Sequence, residues 1–201
     1  MHNGPVACPM VWILQQRPEW LVERKGIEVD IVPGPHPSTI EDAILLKDCD
    51  VQFGRTTGPG GQNRNRRDTA TTIEHLPTGV IAAASERRSQ AQNRARAMFR
   101  LRMKLASSVR TKTHHEHHQV SELWQSRRQG RSISVNPMHN DYPALLAEAL
   151  DVIVARRHDV AGAAGVLGVS MSQLAKLIRH DKRSFAAVNR GREAQGLPRL
   201  K

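Results

Sequence analysis

Near Ser89 the spacing of apolar residues along this chain changes, and that change decides the fold class. From Ser89 onward Ala91, Ala95, Met98, Leu101 and Leu105 recur three or four positions apart, the stripe of an amphipathic helix. Ahead of it, Thr69 to Leu76 is rich in Thr and Ile, which suits a strand. Pro77-Thr78-Gly79 is turn chemistry, and the apolar run Val80 to Ala84 returns antiparallel to that strand. Asp50 to Phe53 predicts a brief strand, and Ser38-Thr39-Ile40-Glu41 reads as a capping box that opens a helix over 39–47. The expectation is an α+β fold: a small mixed or antiparallel sheet with a packed helix, followed by a small all-α unit.

The flanks are read from their breakers and their polarity. Pro5, Pro9, Pro18, Pro33 and Pro35 forbid a long helix, so residues 1–37 are expected to be irregular. A unit over 38–109 comes next. Residues 110–140, with "THHEHHQ" and "SRRQGRS", read as a polar linker. Over 141–181 the pattern becomes helical, and Asp159 to Ile178 fits helix, a Gly168-Val169-Ser170 turn and helix again, a helix-turn-helix. On its second helix Lys176 and Arg179 are candidate nucleic-acid contacts, suited to the backbone rather than to base edges. Residues 182–201 read as a basic tail. His114, His115, His117 and His118 fit the polar linker better than a metal site, because no HExxH-type pattern accompanies them.

The chain's 201 residues carry 30 Lys+Arg against 19 Asp+Glu, which points to a polyanionic partner. Twelve of those cations and three of the acids fall between Val51 and Arg110, so the middle of the protein meets that partner. Aromatic residues are only 3%, which argues against base stacking and for phosphate contacts from Arg and Lys. Cys8 and Cys49 read as free thiols in a reducing compartment, with a disulfide as the alternative. Val11-Trp12-Ile13-Leu14 is too short to span a bilayer, so a soluble, cytoplasmic monomer without a membrane partner is expected.

In the middle of that charge lies "RTTGPGGQNRNRR", Arg55 to Arg67: a glycine-rich tip beside a run of arginines. "GPGGQNRN", followed by "TATTIEHLPTGV" and "ERRSQAQNRARA", resembles the class I peptide release factor family. There a GGQ motif precedes an Ile-x-His-hydrophobic-Pro-[ST]-Gly run and Arg-Ser-Gln before Asn. Three motifs in order over about 60 residues make the match specific, where GGQ alone would be weak. Asn63 stands where decoding release factors usually have His, and Arg64 where a small apolar residue is common.

The resemblance implies a loop that enters the peptidyl-transferase centre of the large ribosomal subunit and promotes attack of water on the peptidyl-tRNA ester. Gly60 and Gly61 would permit close backbone approach, and Gln62 would offer a backbone N–H to the developing oxyanion while its amide places the water. Neither a cofactor nor a metal is implied. Arg55, Arg64, Arg66, Arg67, Arg87, Arg88 and Arg94, with the Arg96, Arg100 and Lys104 ridge, are then rRNA or tRNA contacts. Asn65, Ser89, Gln90 and Asn93 fall on motif positions and join that set. His75, also on a motif position, reads as a structural hydrogen-bonding residue. No stop-codon-reading region is apparent, so the resemblance is to stand-alone GGQ proteins that rescue stalled ribosomes, some of them with a partner factor. Two alternatives stay open: a non-catalytic RNA- or DNA-binding regulator, and codon-dependent termination.

Overall fold

A computed structural model describes residues 30–55, 68–112 and 118–201. Three antiparallel strands, β2 (Cys49–Gly54), β3 (Ala70–His75) and β4 (Val80–Ala84), form a sheet in that order, after a short strand β1 (Asp30–Val32). Helix α2 (Gln90–Ser108) packs across the sheet and runs into β5 (Val109–Thr111), which pairs parallel to β1. The observed class is α+β, as the change of apolar spacing requires; all three sheet strands fall within one residue of their expected bounds, and the long helix starts one residue after Ser89.

The helix buries Met98, Leu101 and Leu105 of the expected stripe but not its first two residues. Ala91 and Ala95 are exposed, whereas Asn93, Ala97, Leu101 and Leu105 form the i, i+4 row facing the sheet, with Met98 beside them. Against that row lie Leu45, Ile73, Ala82 and Ala84, which form one core. Leu101 and Leu105 are wholly shielded from solvent, each worth about 1.5–3 kcal/mol of apolar burial.

The expected helix over 39–47 is broken into three pieces: a 3-10 turn at Pro37–Thr39, the four-residue α1 (Asp42–Leu45) and a second 3-10 turn at Leu46–Asp48. Ser38 caps none of them. Its backbone N–H donates to His36 Nδ1 at 3.0 Å, and its hydroxyl bonds the same nitrogen at 2.8 Å. Arg102 of α2 donates to Ser38 O at 2.7 Å and pairs with Asp42 at 2.5 Å, which holds the broken segment against the long helix.

Downstream, two expectations are corrected. The stretch 110–140 is not a plain linker: its described part holds α3 (Glu122–Arg127) and the hairpin of β6 (Arg128–Gln129) and β7 (Ser132–Ile133). Trp124 is fully buried there and donates from Nε1 to Leu167 O at 3.0 Å, and Ile133 joins it in the core with Val120, Leu123 and Val135 packed alongside. Nor are residues 182–201 a tail. After α4 (Tyr142–Ala155), α5 (Val160–Val166) and α6 (Met171–Arg179), a fourth helix α7 (Lys182–Ala194) is capped by the Asp181 carboxylate on Ser184 N at 2.8 Å and buries Val188. These helices share a second core around Trp124, Tyr142, Leu146, Leu174 and Ile178, to which Ala106 of α2 also belongs.

The two cores meet at an ion pair. Arg110 of β5 lies 2.9 Å from Asp151 of α4, with both side chains 5% exposed. Thr111 N donates to Asp151 Oδ1 at 3.2 Å, and the Thr111 hydroxyl bonds Oδ2. Beside the pair, His36 Nδ1 accepts from Ser38 while Nε2 donates to Val109 O at 3.0 Å, which fixes a neutral ring with its proton on Nε2. The same residues show that the segment before Pro37 is not irregular throughout, since β1 is paired and His36 is buried.

Candidate functional site

Gly60, Gly61, Gln62, Arg64, Asn65, Arg66 and Arg67 lie outside the described residues, as do His114, His115, His117 and Cys8. What the structure does describe is the ground from which residues 56–67 depart. Gly54 pairs with Ala70, the last rung of the β2–β3 ladder, so the glycine-rich segment connects two strands already in register. At its ends Arg55 Nε meets Asp68 Oδ1 at 3.0 Å, a pair more than half exposed and weak for that reason.

The Arg-Ser-Gln…Asn motif closes on this base. Asn93 is fully buried in the first turn of α2, and its amide satisfies three backbone groups. Oδ1 accepts from Arg87 N at 2.8 Å, while Nδ2 donates to Thr69 O at 2.6 Å and to Arg87 O at 2.9 Å. One side chain thus ties the residue preceding β3 to the loop that enters α2. Gln90 adds a bond from Nε2 to Asp68 O at 2.9 Å, and Ser89 caps the helix by accepting from Gln92 N at 3.4 Å. Asn93 therefore holds the hairpin in place and, being shielded from solvent, does not make the RNA contact expected of it; Ser89 and Gln90 serve the same base.

At the far end of β3 the Ile-Glu-His-Leu-Pro-Thr-Gly motif builds its own turn. His75 is buried and hydrogen-bonds Thr78 Oγ1 at 2.7 Å through Nδ1, and its carbonyl accepts from Gly79 N at 2.8 Å. Gly79 takes φ +64°, the left-handed region that glycine enters without strain. Burial lowers the His75 pKa from its ordinary value, with Asp48 opposing, so the ring is a neutral structural partner as expected.

Arg87, Arg88 and Arg94 are exposed. The ridge along α2 is engaged within the protein. Arg100 pairs with Glu86 at 2.8 Å and donates to Ala83 O at 2.8 Å, Lys104 donates to Ile81 O at 2.5 Å, and Arg96 stands 3.7 Å from Glu86. Ala83 and Ile81 belong to β4, an outer strand of the sheet, so two of the three cations satisfy strand carbonyls. Glu86 and the β4 carbonyls thus offset part of the mutual repulsion of three cations spaced four apart.

Cys49 is free; burial, with Asp48 close by, pushes its thiol up to about 11, and it donates to Leu45 O at 3.2 Å. Such a thiol is a structural group and not a nucleophile. His118 hydrogen-bonds Glu148 at 3.2 Å, and among the described residues no group of His, Cys, Asp and Glu is placed to hold a metal. No single helix among the described residues is long and apolar enough to cross a membrane.

A family model described as the RF-1 domain matches residues 38–140, about half of the chain. The chloroplastic peptide chain release factor PrfB1 of Arabidopsis thaliana is 42% identical over 77 residues, 38% of this chain and 17% of that protein. Peptide chain release factor 1 of Kineococcus radiotolerans is 43% identical over 77 residues, covering 38% and 22%. Its counterpart from Chlamydia pneumoniae is 35% identical over 95 residues, covering 47% and 27%. The chain therefore spans between 17% and 27% of the length of these curated relatives.

Proposed function

The chain belongs to the RF-1 domain family of class I peptide chain release factors, and on that premise we propose that it hydrolyses the peptidyl-tRNA ester on the ribosome, independently of a stop codon. The observation that carries this reading is the footing that the Arg-Ser-Gln…Asn motif gives the GGQ segment at the hairpin base. Asn93 and Gln90 hold the backbone at 68–69, where the GGQ segment rejoins the sheet, and β2–β3 pairing fixes its other end. A tip that must reach an ester deep in folded RNA needs a rigid footing, because displacement of about 1 Å can cost roughly 10²-fold in rate.

In the reaction, water adds to the ester carbonyl carbon, the bond from that carbon to the tRNA ribose oxygen breaks, and the ribose oxygen takes up the proton. Gly60 and Gly61 permit close approach to the reacting carbon. Gln62 supplies its backbone N–H to the oxyanion and its side-chain amide to the water. The exposed Arg87, Arg88 and Arg94, together with Arg55 and the arginines at 64, 66 and 67, neutralise rRNA phosphates around the entry. Codon independence is supported by the basic helical unit beyond the matched region, whose outward cations suit backbone contact and not base reading.

The test is single-turnover release of labelled peptide from ribosomes stalled on truncated mRNA, compared with stop-codon programmes and with isolated large subunits carrying peptidyl-tRNA. Gln62→Ala is expected to lower release by about 10²–10³-fold while ribosome binding stays near that of the parent. Release confined to stop-codon complexes would remove codon independence. An inactive parent protein that still binds RNA would favour the non-catalytic alternative.

A further inference from the structure

The helical unit carries a second concentration of positive charge for which ester hydrolysis at the hairpin has no use. Between Met171 and Lys201 stand eight Lys and Arg against two acids, Asp181 and Glu193. Helices α5 and α6 cross at 104° through a turn in which Gly168 takes φ +68°, the geometry of a helix-turn-helix. The inner face of α6 is buried through Leu174, Leu177 and Ile178, which turns Met171, Ser172, Lys176 and Arg179 outward.

Two further pieces of chain widen that outward face. At the start of α6 the β6–β7 hairpin docks against the turn: Ser170 N donates to Arg131 O at 2.9 Å, and Arg128 Nη1 reaches Gly168 O at 3.4 Å. A Cβ at Gly168 would fall 2.2 Å from that same guanidinium nitrogen, so the turn is shaped to seat Arg128. Along the flank of α6 lies Pro198–Lys201. Leu200 is buried with its N–H on Asn189 Oδ1 at 2.8 Å, Arg192 donates to Pro198 O at 2.8 Å, and Arg179 donates to Lys201 O. Between α6 and this segment runs a groove of about 810 Å³ with Lys176, Arg179, Arg192, Arg199 and Lys201 in its lining and no carboxylate side chain among the lining residues.

We propose that this strip, from Arg128 and Arg131 across Lys176 to Arg199, binds the phosphodiester backbone of double-helical RNA. Arg179, which stacks on Phe185 at 5.4 Å and holds Lys201, positions the groove wall, while Lys176 and Arg199 face the ligand. Arg199 has one carboxylate nearby, Glu193 at 3.3 Å, in an exposed pair that a phosphate can displace. RNA is favoured over DNA on shape. A recognition helix enters B-DNA's major groove, about 12 Å wide, with its N-terminal residues against base edges. Here that end of α6 offers Met171 and Ser172, and the hairpin and residues 198–201 broaden the surface beyond one helix. A wide, shallow RNA minor groove lined by phosphates and 2′-hydroxyls accepts such a surface. The proposal is independent of hydrolysis, so either can fail alone.

The experiment measures binding of the full chain to a labelled RNA duplex and to the DNA duplex of the same sequence by fluorescence anisotropy across a salt series. Lys176→Glu with Arg199→Glu is expected to weaken RNA binding at least tenfold and to lower the slope of log K against log salt by about one to two, since two phosphate-neutralising cations are removed. Both side chains are exposed, and a circular-dichroism melt checks the fold; if charge reversal disturbs it, the paired alanine variants are read instead, with the same sign expected. RNA affinity within twofold of the parent in a folded variant, or DNA bound as tightly as RNA, overturns the proposal.

Discussion

Replacing Asn93 by alanine probes the footing of the hairpin directly. The substitution removes three hydrogen bonds at a wholly buried position: one accepted from Arg87 N and two donated to Thr69 O and Arg87 O. An intramolecular hydrogen bond contributes about 1 kcal/mol net, while a buried group left without a partner costs about 1–3 kcal/mol. Arg87 is exposed, so water relieves part of the loss on its side; Thr69 is half-buried and is relieved less. The expected destabilisation is therefore about 2–4 kcal/mol, of the order a buried polar network gives when one member is removed. It should appear in urea unfolding followed by circular dichroism and, more locally, as faster hydrogen exchange at the Arg87 amide. Because Thr69 adjoins the point where the glycine-rich segment re-enters the sheet, release should fall by about 10²-fold even under conditions where the variant is fully folded. An unfolding free energy within about 0.5 kcal/mol of the parent, with Arg87 exchange unchanged, would refute the assignment of Asn93 as the tie, since a surface position gives values in that range.

Asp151→Ala leaves Arg110 buried without its carboxylate and should cost about 3–5 kcal/mol, read as a lowered Tm; a change below about 1 kcal/mol would mean the pair does not clasp the two cores. His36, His75 and His158 are each lowered below the ordinary 6.5, in every case chiefly by burial, with Asp151 opposing and Arg110 reinforcing at His36, Asp48 opposing at His75 and Arg192 reinforcing at His158. The unfolded chain then binds protons that the folded one refuses, so stability is full above about pH 6.5 and declines as pH falls toward the lowered values. Tm should drop between about pH 7.5 and 5.5, and His75→Gln should shrink the drop; equal drops in variant and parent would contradict that sign.

Much of the middle of this chain could be read before any coordinates. Thr and Ile enrichment, the Pro-Thr-Gly turn and the three-and-four spacing after Ser89 are local signals, and β3, β4 and α2 appear where they point. What escaped was non-local. Asn93 joined the RNA contacts by its motif position, yet it occupies the core-facing row of α2 and its partners lie 6 and 24 residues away. Trp124 was lost in a polar stretch because its carbonyl partner, Leu167, is 43 residues on; Ser121, capping Trp124 N at 3.1 Å, was the available clue. Helix α7 read as a tail because much of its buried surface is polar: Asn189 and Arg192 fold the last residues back onto it, while Val188 is the apolar residue it buries. The glycine-rich segment is legible only as a motif, and it lies outside the described residues.

The cations lying over β4 have one more effect. An outermost strand offers a row of carbonyls that a foreign polypeptide can zip onto, the route by which exposed edges seed aggregation. With Lys104 on Ile81 O and Arg100 on Ala83 O, two of those docking points are occupied by charge. Any extended peptide approaching there would have to displace an ammonium and a guanidinium first. The edge of this small sheet is in this way kept from taking up a fourth strand.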